Sequence, residues 1–231
     1  MTRPRFAVLG LLLLLIAAFP AVSADEGGVS LFDGQSLNGW KGNTDYWSVQ
    51  DGTITGTTTA DKPLKFNTFL IWTGGTPGDF ELRCKYKING GNSGIQYRSK
   101  VLDEAKFIVG GYQADIDAGN KFTGILYEER ARGILAQRGE RVTIGEDGKK
   151  NAEKFAEAGA LAGKIHGDDW NDYVVIAKGN TMKHFINGEL MSEVTDNQKD
   201  KAAAMGVLAL QLHQGPPMKV QFKEIRLKEL K

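Results

Sequence analysis

Alternating apolar and polar side chains dominate this chain and predict β-strands along most of its length. The clearest case is the segment 80–88, Phe-Glu-Leu-Arg-Cys-Lys-Tyr-Lys-Ile, in which every second residue is apolar. Successive side chains of a strand point to opposite faces, so this segment predicts a half-buried antiparallel strand with Cys84 inside as an inert thiol. Further strands are predicted at 46–50, 68–72, 94–100, 108–117, 124–130, 172–178, 181–186 and 219–230, the last with a bulge near Lys223 and Glu224.

The segment 206–213, Gly-Val-Leu-Ala-Leu-Gln-Leu-His, predicts a strand with two different faces. Its three leucines share one face, which we expect to be core. The other face carries small apolar residues and ends in Gln211 and His213. A titratable group at the end of a buried face makes His213 the best single indicator of a site. Of the other two histidines, His184 is expected to be packed or at an edge, and His166 to be solvated.

Asp-Gly and Asn-Gly pairs recur between the predicted strands and favour the tight turns that join neighbouring strands. Many short strands with frequent turns and almost no helical periodicity predict one all-β sandwich. The segment 138–169 departs from this pattern, since it is rich in Gly, Ala, Lys and Glu. We expect it to be an inserted surface excursion with a short helix over 151–161.

The N-terminal residues predict export rather than membrane anchoring. Arg3 and Arg5 precede an apolar run over 6–19, which is too short to cross a bilayer, and a small-residue cleavage pattern ends at Ala24. We therefore expect a signal peptide over 1–24, a single domain over 25–231, no membrane span after cleavage, and a secreted or periplasmic protein. Without the two arginines, 27 basic residues face 28 acidic ones, which gives no electrostatic reason to expect nucleic acid. The single cysteine excludes an internal disulfide.

Three of the predicted strands carry polar groups on one parity. Gln96 and Arg98 share a face of the first; Gln113, Asp115 and Asp117 share a face of the second; in the third, Tyr127 and Glu129 share a parity opposite to that of Glu128. Two acids on one strand face repel each other unless a neighbouring cation or metal ion compensates. A mixed set of Asp115, Asp117, Glu128 and His213 leaves a divalent metal ion as an open alternative.

Ordinary glycoside hydrolysis is the first enzymatic hypothesis for such a sandwich. Glucanases with this architecture often carry the row Glu-x-Asp-x-Glu on one strand. The equivalent row here begins with Gln113, which cannot act as a carboxylate nucleophile. Asp115 and Asp117, about 6.6 Å apart along a strand, could serve as an inverting pair only if both flanked one bond. The pattern therefore disfavours this chemistry.

Several short motifs, in this order and spacing, resemble the 3-keto-disaccharide hydrolase domain family. They are Leu31-Phe32-Asp33-Gly34, Leu37-Asn38-Gly39-Trp40, Trp47-Ser48-Val49-Gln50-Asp51-Gly52, Asp79-Phe80-Glu81-Leu82, Asn92-Ser93-Gly94-Ile95 with Arg98, Trp170-Asn171, Ile186-Asn187-Gly188 and Leu210-Gln211-Leu212-His213. The resemblance covers nearly all of 29–230. It implies a concanavalin A-like jelly-roll sandwich of two curved antiparallel sheets, and an exported enzyme that cleaves glycosides already oxidised to a ketone at C3.

A C3 ketone acidifies the hydrogen on C2, so a base can remove that hydrogen and the C1 substituent can leave without a carboxylate nucleophile. We expect His213 or Asp115 to be the base and Arg98 to stabilise the enolate in a concave cleft. The expected substrate-binding residues are Gln96, Gln113, Asp117, Tyr127, Glu128 and Gln211. The alternatives left open are a non-catalytic carbohydrate-binding module and a glycosidase on unoxidised polysaccharide. The four tryptophans could stack on sugar rings or belong to the core.

Overall fold

The computed structural model describes residues 28–231, so the predicted signal peptide over 1–24 lies outside the described residues. The strands are β1 (Val29–Ser30), β2 (Trp40–Lys41), β3 (Trp47–Gln50), β4 (Thr53–Thr58), β5 (Thr68–Trp72), β6 (Phe80–Asn89), β7 (Asn92–Asp103), β8 (Ile108–Asp117), β9 (Leu126–Glu129), β10 (Gly133–Ala136), β11 (Glu140–Ile144), β12 (Lys150–Lys154), β13 (Asn171–Lys178), β14 (Thr181–Ile186), β15 (Glu189–Asp196), β16 (Val207–Leu212) and β17 (Met218–Glu229). One short helix, α1 (Ala158–Ala162), accompanies them.

The strands form two sheets. The ten-stranded sheet has the order β12-β11-β15-β14-β13-β6-β17-β4-β3, with β1 paired to β17, and the seven-stranded sheet has the order β10-β9-β8-β7-β16-β5-β2. Among the described residues, β11 with β15 is the one parallel pair, and the remaining pairs are antiparallel. The prediction of an all-β sandwich is therefore confirmed. No helix in this part of the chain is long and apolar enough to span a membrane.

The core lies between the two sheets, where the predicted alternation places it. Leu208, Leu210 and Leu212 of β16 are buried against the ten-stranded sheet, and burying each leucine contributes roughly 1.5–3 kcal/mol. Strand β6 buries every second residue, as its pattern predicts. Burial also raises the pKa of the Cys84 thiol to about 12, which keeps this thiol protonated and inert, as expected.

The strand predictions hold closely, whereas the helix predicted over 151–161 is present only at the C-terminal end of that segment. The bounds 68–72, 108–117 and 181–186 are reproduced, and β17 carries a register shift between Lys223 and Arg226, where a bulge was expected. In the segment 151–161, however, residues up to Lys154 form β12, which pairs with β11, and helix α1 begins only at Ala158. The segment 138–169 is thus partly an extension of the ten-stranded sheet, because β11 pairs with β15.

A small second apolar cluster lies on the outer face of the seven-stranded sheet. Phe69, Ile71, Val109 and Ala209 are buried in it, and Val101, Phe107 and Val207 pack around them. The far end of the β7–β8 hairpin is joined to β5 by a hydrogen bond from the Phe69 backbone N–H to the Phe107 carbonyl (3.0 Å). The hairpin therefore covers the apolar part of the outer face, and polar side chains occupy the neighbouring part of the same face.

Candidate active site

The polar side chains meet on the outer face of the seven-stranded sheet, which we call the site face. Gln113 lies opposite Gln96 on β7 and opposite Tyr127 on β9. Gln211 lies two residues beyond Ala209, which is itself opposite Gln96. Side chains two residues apart on a strand share a face, so strand register alone places the three glutamines side by side. The three glutamines are at most 1% exposed.

A directed chain of hydrogen bonds runs along the site face. The Ser99 hydroxyl donates to Gln96 Oε1 (2.7 Å), Gln96 Nε2 donates to Gln113 Oε1 (2.6 Å), and Gln113 Nε2 donates to Asp115 Oδ2 (2.9 Å). Each amide accepts on one side and donates on the other, and the chain ends on a group that, when ionised, only accepts. Such a chain polarises its members toward the carboxylate.

Gly94 makes this arrangement sterically possible. It lies on β7 opposite Asp115. A Cβ atom added to Gly94 would lie 2.6 Å from Cγ and Cδ of the Gln113 side chain. Any larger residue would push the Gln113 amide away from the carboxylate, so the glycine is required for close approach rather than for backbone conformation.

Asp115 has the most perturbed carboxyl group on the site face. Burial raises its pKa to about 7, and the nearby Asp117 and Glu129 carboxylates raise it as well. Hydrogen bonds from Asn92 Nδ2 (2.6 Å) and from Gln113 Nε2 oppose the shift but do not cancel it. No cation lies among these hydrogen-bond partners. A carboxyl group whose pKa is near neutrality is suited to accept a proton from carbon and to release it again.

Glu129 is a second buried carboxylate on this face, and the site predicted from the sequence did not include it. Its Oε2 accepts a hydrogen bond from Gln211 Nε2 (3.3 Å) and its Oε1 accepts one from Asn67 Nδ2 (3.2 Å). In the sheet, β8, β7 and β16 lie between Glu129 on β9 and Asn67 at the start of β5. The Asn67–Glu129 hydrogen bond therefore passes over the site face. The available signal was the parity that Glu129 shares with Tyr127.

His213 lies at the edge of the site face, immediately after β16. Continuing the β16–β5 and β16–β7 registers places it opposite Asn67 and Asn92, the partners of the two carboxylates. Its side chain is half-buried, and its Nδ1 lies within hydrogen-bonding distance of the Gln214 carbonyl. The ring therefore carries its proton on Nδ1 when neutral, which leaves Nε2 as the acceptor.

Asp117 and Tyr127 share the parity of the site face, with different surroundings. The Asp117 carboxylate accepts hydrogen bonds from the backbone N–H groups of Lys121 (2.8 Å) and Phe122 (3.4 Å), so it closes the β8–β9 loop. Tyr127 is half-buried opposite Gln113, and burial together with the Glu129 carboxylate raises its pKa. We assign Asp117 to the loop and Tyr127 to the border of the site.

Arg98 does not lie on the site face, which corrects the expectation that it stabilises an enolate. Its φ of 45° and the register shift between Tyr97 and Lys100 mark a bulge that turns the side chain away from the face of Gln96. The buried guanidinium donates to the carbonyls of Gly78 (2.9 Å) and Gly179 (2.7 Å) and to Asp79 Oδ1 (2.8 Å). It therefore ties the seven-stranded sheet to loops of the other sheet.

Glu128 is also absent from the site face, which corrects its assignment as a substrate-binding residue. Its carboxylate accepts from Arg132 Nε (2.5 Å), and Arg132 Nη2 also donates to Asp196 Oδ2 (2.6 Å). The Tyr112 hydroxyl donates to the same Asp196 oxygen (2.6 Å). We call Glu128, Arg132, Asp196 and Tyr112 the ion-pair cluster. It lies on the core side of β8 and β9, opposite to the site face.

Within residues 28–231, no three His, Cys, Asp or Glu side chains are grouped so that they could hold a metal ion. The mixed ligand set expected from the sequence is not brought together, because Glu128 faces the core and Asp117 closes a loop. The oxygen and nitrogen donors of the site face are engaged mainly with one another.

The remaining histidines and the tryptophans have clear positions. His184 is buried; its Nε2 accepts from the Tyr97 hydroxyl (2.9 Å), and burial lowers its pKa to about 3. His166 is exposed. Trp47 is buried in the core, and Trp40 and Trp72 are partly buried at the border of the core. Lys223 Nζ lies 4.2 Å from the centre of the Trp170 ring.

The chain resembles known carbohydrate-related proteins in sequence and in fold. Residues 27–228 match the family model described as the 3-keto-alpha-glucoside-1,2-lyase-like domain. None of the curated proteins compared with the chain matches it. Among solved structures, the carbohydrate-binding module CBM66 from Bacillus subtilis is 14% identical with a TM-score of 0.55, and the match covers 83% of this chain and 96% of that one.

Two further solved structures have the same fold. A protein from Parabacteroides distasonis, described as a candidate glycosyl hydrolase, is 21% identical with a TM-score of 0.56, covering 89% of this chain and 94% of that one. The β-glucanase of Bacillus licheniformis is 10% identical with a TM-score of 0.51, covering 89% and 99%. At these identities the likeness establishes the jelly-roll fold alone.

Proposed function

Because the chain belongs to the 3-keto-alpha-glucoside-1,2-lyase-like domain family, we propose that it cleaves glycosides whose sugar ring carries a ketone at C3. The single observation that carries the proposal is the Asp115 carboxyl group, which is buried, free of a paired cation and has a pKa of about 7. The family supplies the substrate class, and this carboxyl group supplies the base that the reaction needs.

The reaction begins when the Asp115 carboxylate takes the C2 proton. The electrons of the C2–H bond form an enolate with the C3 oxygen. When the enolate collapses, the bond between C1 and its oxygen substituent breaks, a C1–C2 double bond forms, and the leaving oxygen takes up a proton. Addition of water across this double bond then gives the free 3-keto sugar, so the net change is hydrolysis.

Other groups of the site face complete this scheme. The glutamine amides provide N–H donors that can turn toward the developing charge on the C3 oxygen. His213, at the edge of the face, is placed to donate a proton to the leaving oxygen when its ring is protonated. Substrate entry requires that the Asn67–Glu129 hydrogen bond over the site face opens, since Asp115 and Glu129 are only 5% and 7% exposed.

We also propose that the protein works outside the cytoplasm, either secreted or in the periplasm. The support is the signal peptide predicted over 1–24, with cleavage after Ala24. A stable core without disulfide bonds is compatible with that location, because the single thiol of Cys84 is buried and has no second cysteine to pair with.

The test compares a 3-keto-disaccharide with its unoxidised parent and follows sugar release by the full chain. We expect cleavage of the keto form only, a several-fold slower reaction when C2 carries deuterium, and a rate that falls as the pH drops below about 7. Asp115→Asn should lower the rate by about 100-fold or more. The absence of an isotope effect at C2 would exclude rate-limiting proton abstraction and contradict the scheme.

Two neighbouring glutamates provide a matched pair of variants. Glu129→Gln changes a carboxylate on the site face, whereas Glu128→Gln changes its sequence neighbour on the core side. We expect the first to change the rate or the KM for the keto substrate. The second should lower stability while the folded fraction keeps its rate. Equal rate losses in the two variants would show that the site face has been assigned incorrectly.

A second candidate function is ordinary glycoside hydrolysis by the two buried carboxylates. Asp115 and Glu129 are linked through Gln113 and Gln211, whose side chains are 3.4 Å apart at the Gln113 Nε2–Gln211 Oε1 contact. A pair of carboxyl groups on one face is the arrangement that glycosidases use. Cleavage of the unoxidised parent at a rate comparable to that of the keto form would favour this alternative.

A further inference from the structure

The outer face of the ten-stranded sheet carries a concentration of positive charge where β6 and β17 pair. Both strands bury alternate residues in the core, so the residues between them point outward. The cations on this face are Arg83, Lys85, Lys87, Lys219, Lys223, Arg226 and Lys228, and the acids beside them are Glu81, Asp172 and Glu224. This excess contrasts with the near-balance of the whole chain, whose formal net charge is +1.

Two pairs of these cations face each other across β6 and β17, while Lys228 faces Glu81. Lys85 lies directly opposite Lys223, and Arg83 lies directly opposite Arg226. Like charges on facing residues of neighbouring strands are destabilising, and opposite charges at the same positions would stabilise the pair. These two pairs therefore gain nothing from cross-strand attraction, and Arg83 and Lys85 are compensated by the carboxylates of Glu81, Asp172 and Glu224 instead.

Three neighbouring lysines of this face form no salt bridge with another described residue, and the same holds for Lys228 farther along β17. Lys85 binds Asp172 (2.7 Å), whereas Lys87, Lys219 and Lys223 form no salt bridge with any residue in the range 28–231. Lys87 lies opposite Gln221, so Lys219 and Lys223 are its two diagonal neighbours, roughly 7–8 Å away. We call these three residues the basic patch.

An aromatic ring lies at one end of the basic patch. The Trp170 ring is half-exposed, and Lys223 Nζ lies 4.2 Å from its centre. Lysines can bind carboxylate or sulfate groups, while the face of the indole ring that is not covered by Lys223 can stack on a sugar ring. The combination suits a polymer that has both features. Because it includes the Trp170 ring, this surface can select a sugar polymer over an anionic polymer that has no sugar rings.

We propose that the basic patch and Trp170 form a second carbohydrate-binding site, which takes an anionic polysaccharide such as a chain of uronic acids. It lies on the opposite side of the sandwich from the site face, with both sheets between them. The site therefore holds the protein on a charged glycan and leaves the Asp115 side free. The proposal does not depend on which reaction the site face catalyses.

The test measures binding of the full chain to polygalacturonate, to a neutral glucan and to polyglutamate in affinity gels at increasing salt. We expect retention by polygalacturonate that weakens as salt rises, and little retention by the neutral glucan. Replacing Lys87, Lys219 and Lys223 by glutamate should weaken binding by about tenfold or more. Equal retention by polyglutamate would overturn the proposal, since it would mean that charge alone is recognised.

The matched control places the same change of charge elsewhere. Lys149, Lys199 and Lys201 are exposed on other loops, and replacing these three by glutamate should leave binding nearly unchanged. Trp170→Ala should weaken binding to polygalacturonate without altering its salt dependence. Both triple variants should cleave a small substrate as the wild type does. Equal losses of binding in the two triple variants, or no retention of the wild type, would refute the proposed site.

Discussion

Buried carboxylates lie on both faces of strands β8 and β9, with Asp196 of β15 joining the core-side group, and the two groups have different partners. In the ion-pair cluster on the core side, Arg132 binds both Glu128 and Asp196. On the site face, Asp115 and Glu129 are bound by the amides of Asn and Gln residues. The core-side carboxylates are therefore held by one shared cation, whereas the site-face carboxylates are held mainly by amides, with Arg130 Nε 3.9 Å from Glu129 Oε1.

The pKa values of Asp196 and Asp115 move in opposite directions. Burial alone would raise the pKa of Asp196, but hydrogen bonds from Arg132 and Tyr112 outweigh burial and lower it. For Asp115, burial prevails and raises the pKa to about 7. The contribution of the ion-pair cluster to the free energy of unfolding is therefore lost as the pH falls through the low pKa of Asp196. As the pH falls from about 7 toward 4, Asp115 takes up a proton in the folded state, and this uptake increases the free energy of unfolding.

The largest expected effect comes from removing the cation. Arg132→Met leaves Glu128 and Asp196 buried without a positive partner, and should lower the free energy of unfolding by about 3–5 kcal/mol. Urea denaturation at pH 7 measures this change. As a control, Arg83→Met breaks an exposed ion pair and should cost no more than about 1 kcal/mol. Similar losses for the two variants would mean that the ion-pair cluster contributes no more than a surface pair.

The next effect is on the pH dependence of stability. Wild-type stability should contain a component that decreases between pH 4 and pH 7, on the order of 3 kcal/mol, as buried Asp115 ionises. Asp115→Asn should remove this component, since its side chain does not titrate. Denaturation curves across this pH range measure it, with the exposed-loop variant Asp200→Asn as the control. A wild-type slope that persists in Asp115→Asn would contradict the assignment.

A smaller effect is expected from one hydroxyl group of the ion-pair cluster. Tyr112→Phe removes the hydrogen bond to Asp196 Oδ2 and should destabilise the fold by about 1.5–3 kcal/mol. It should also shift acid unfolding to higher pH, because the pKa of Asp196 loses part of its support. Tyr46→Phe, which removes an exposed 3.4 Å contact to the Pro63 carbonyl, is the comparison and should change little. An unchanged acid midpoint in Tyr112→Phe would be inconsistent with this role.

The smallest effect concerns the hydrogen bond over the site face. Asn67→Ala should cost about 0.5–1.5 kcal/mol of stability and lower the KM for the substrate, because the substrate no longer has to displace the Asn67 amide from Glu129. Steady-state kinetics and denaturation measure the two changes. Asn180→Ala removes an exposed hydrogen bond to Asn197 and should leave KM unchanged. A higher KM in Asn67→Ala would indicate that Asn67 binds the substrate instead.

Side-chain parity predicted much of the site because it depends only on regular strands. Gln96, Gln113 and Gln211 lie together as expected, since β7, β8 and β16 are regular where these residues occur. Arg98 lies two residues after Gln96 on β7, and there the bulge turns its side chain away from the site face. A bulge depends on how two strands match in length, so alternation within one strand could not reveal it.

Two other features depended on partners distant from the residue in question. Side-chain alternation predicts that Glu128 and Glu129 point to opposite faces of β9. It does not predict which of them faces the core, because that depends on Arg132 and on Asp196, which is far away in the sequence. Residues 151–154 have good helix formers, yet pairing with β11 makes them a strand. Tertiary pairing overrides local propensity in such cases.

Strand β12 at the end of the ten-stranded sheet has a consequence for the behaviour of the protein at high concentration. Its sequence is Lys-Asn-Ala-Glu-Lys, and all five residues are exposed. An open strand edge is a template for another chain, and lysines on such an edge oppose the addition of a further strand. The charged β12 therefore opposes aggregation at this edge. The segment 138–169 thus both lengthens the ten-stranded sheet and protects the edge that it creates.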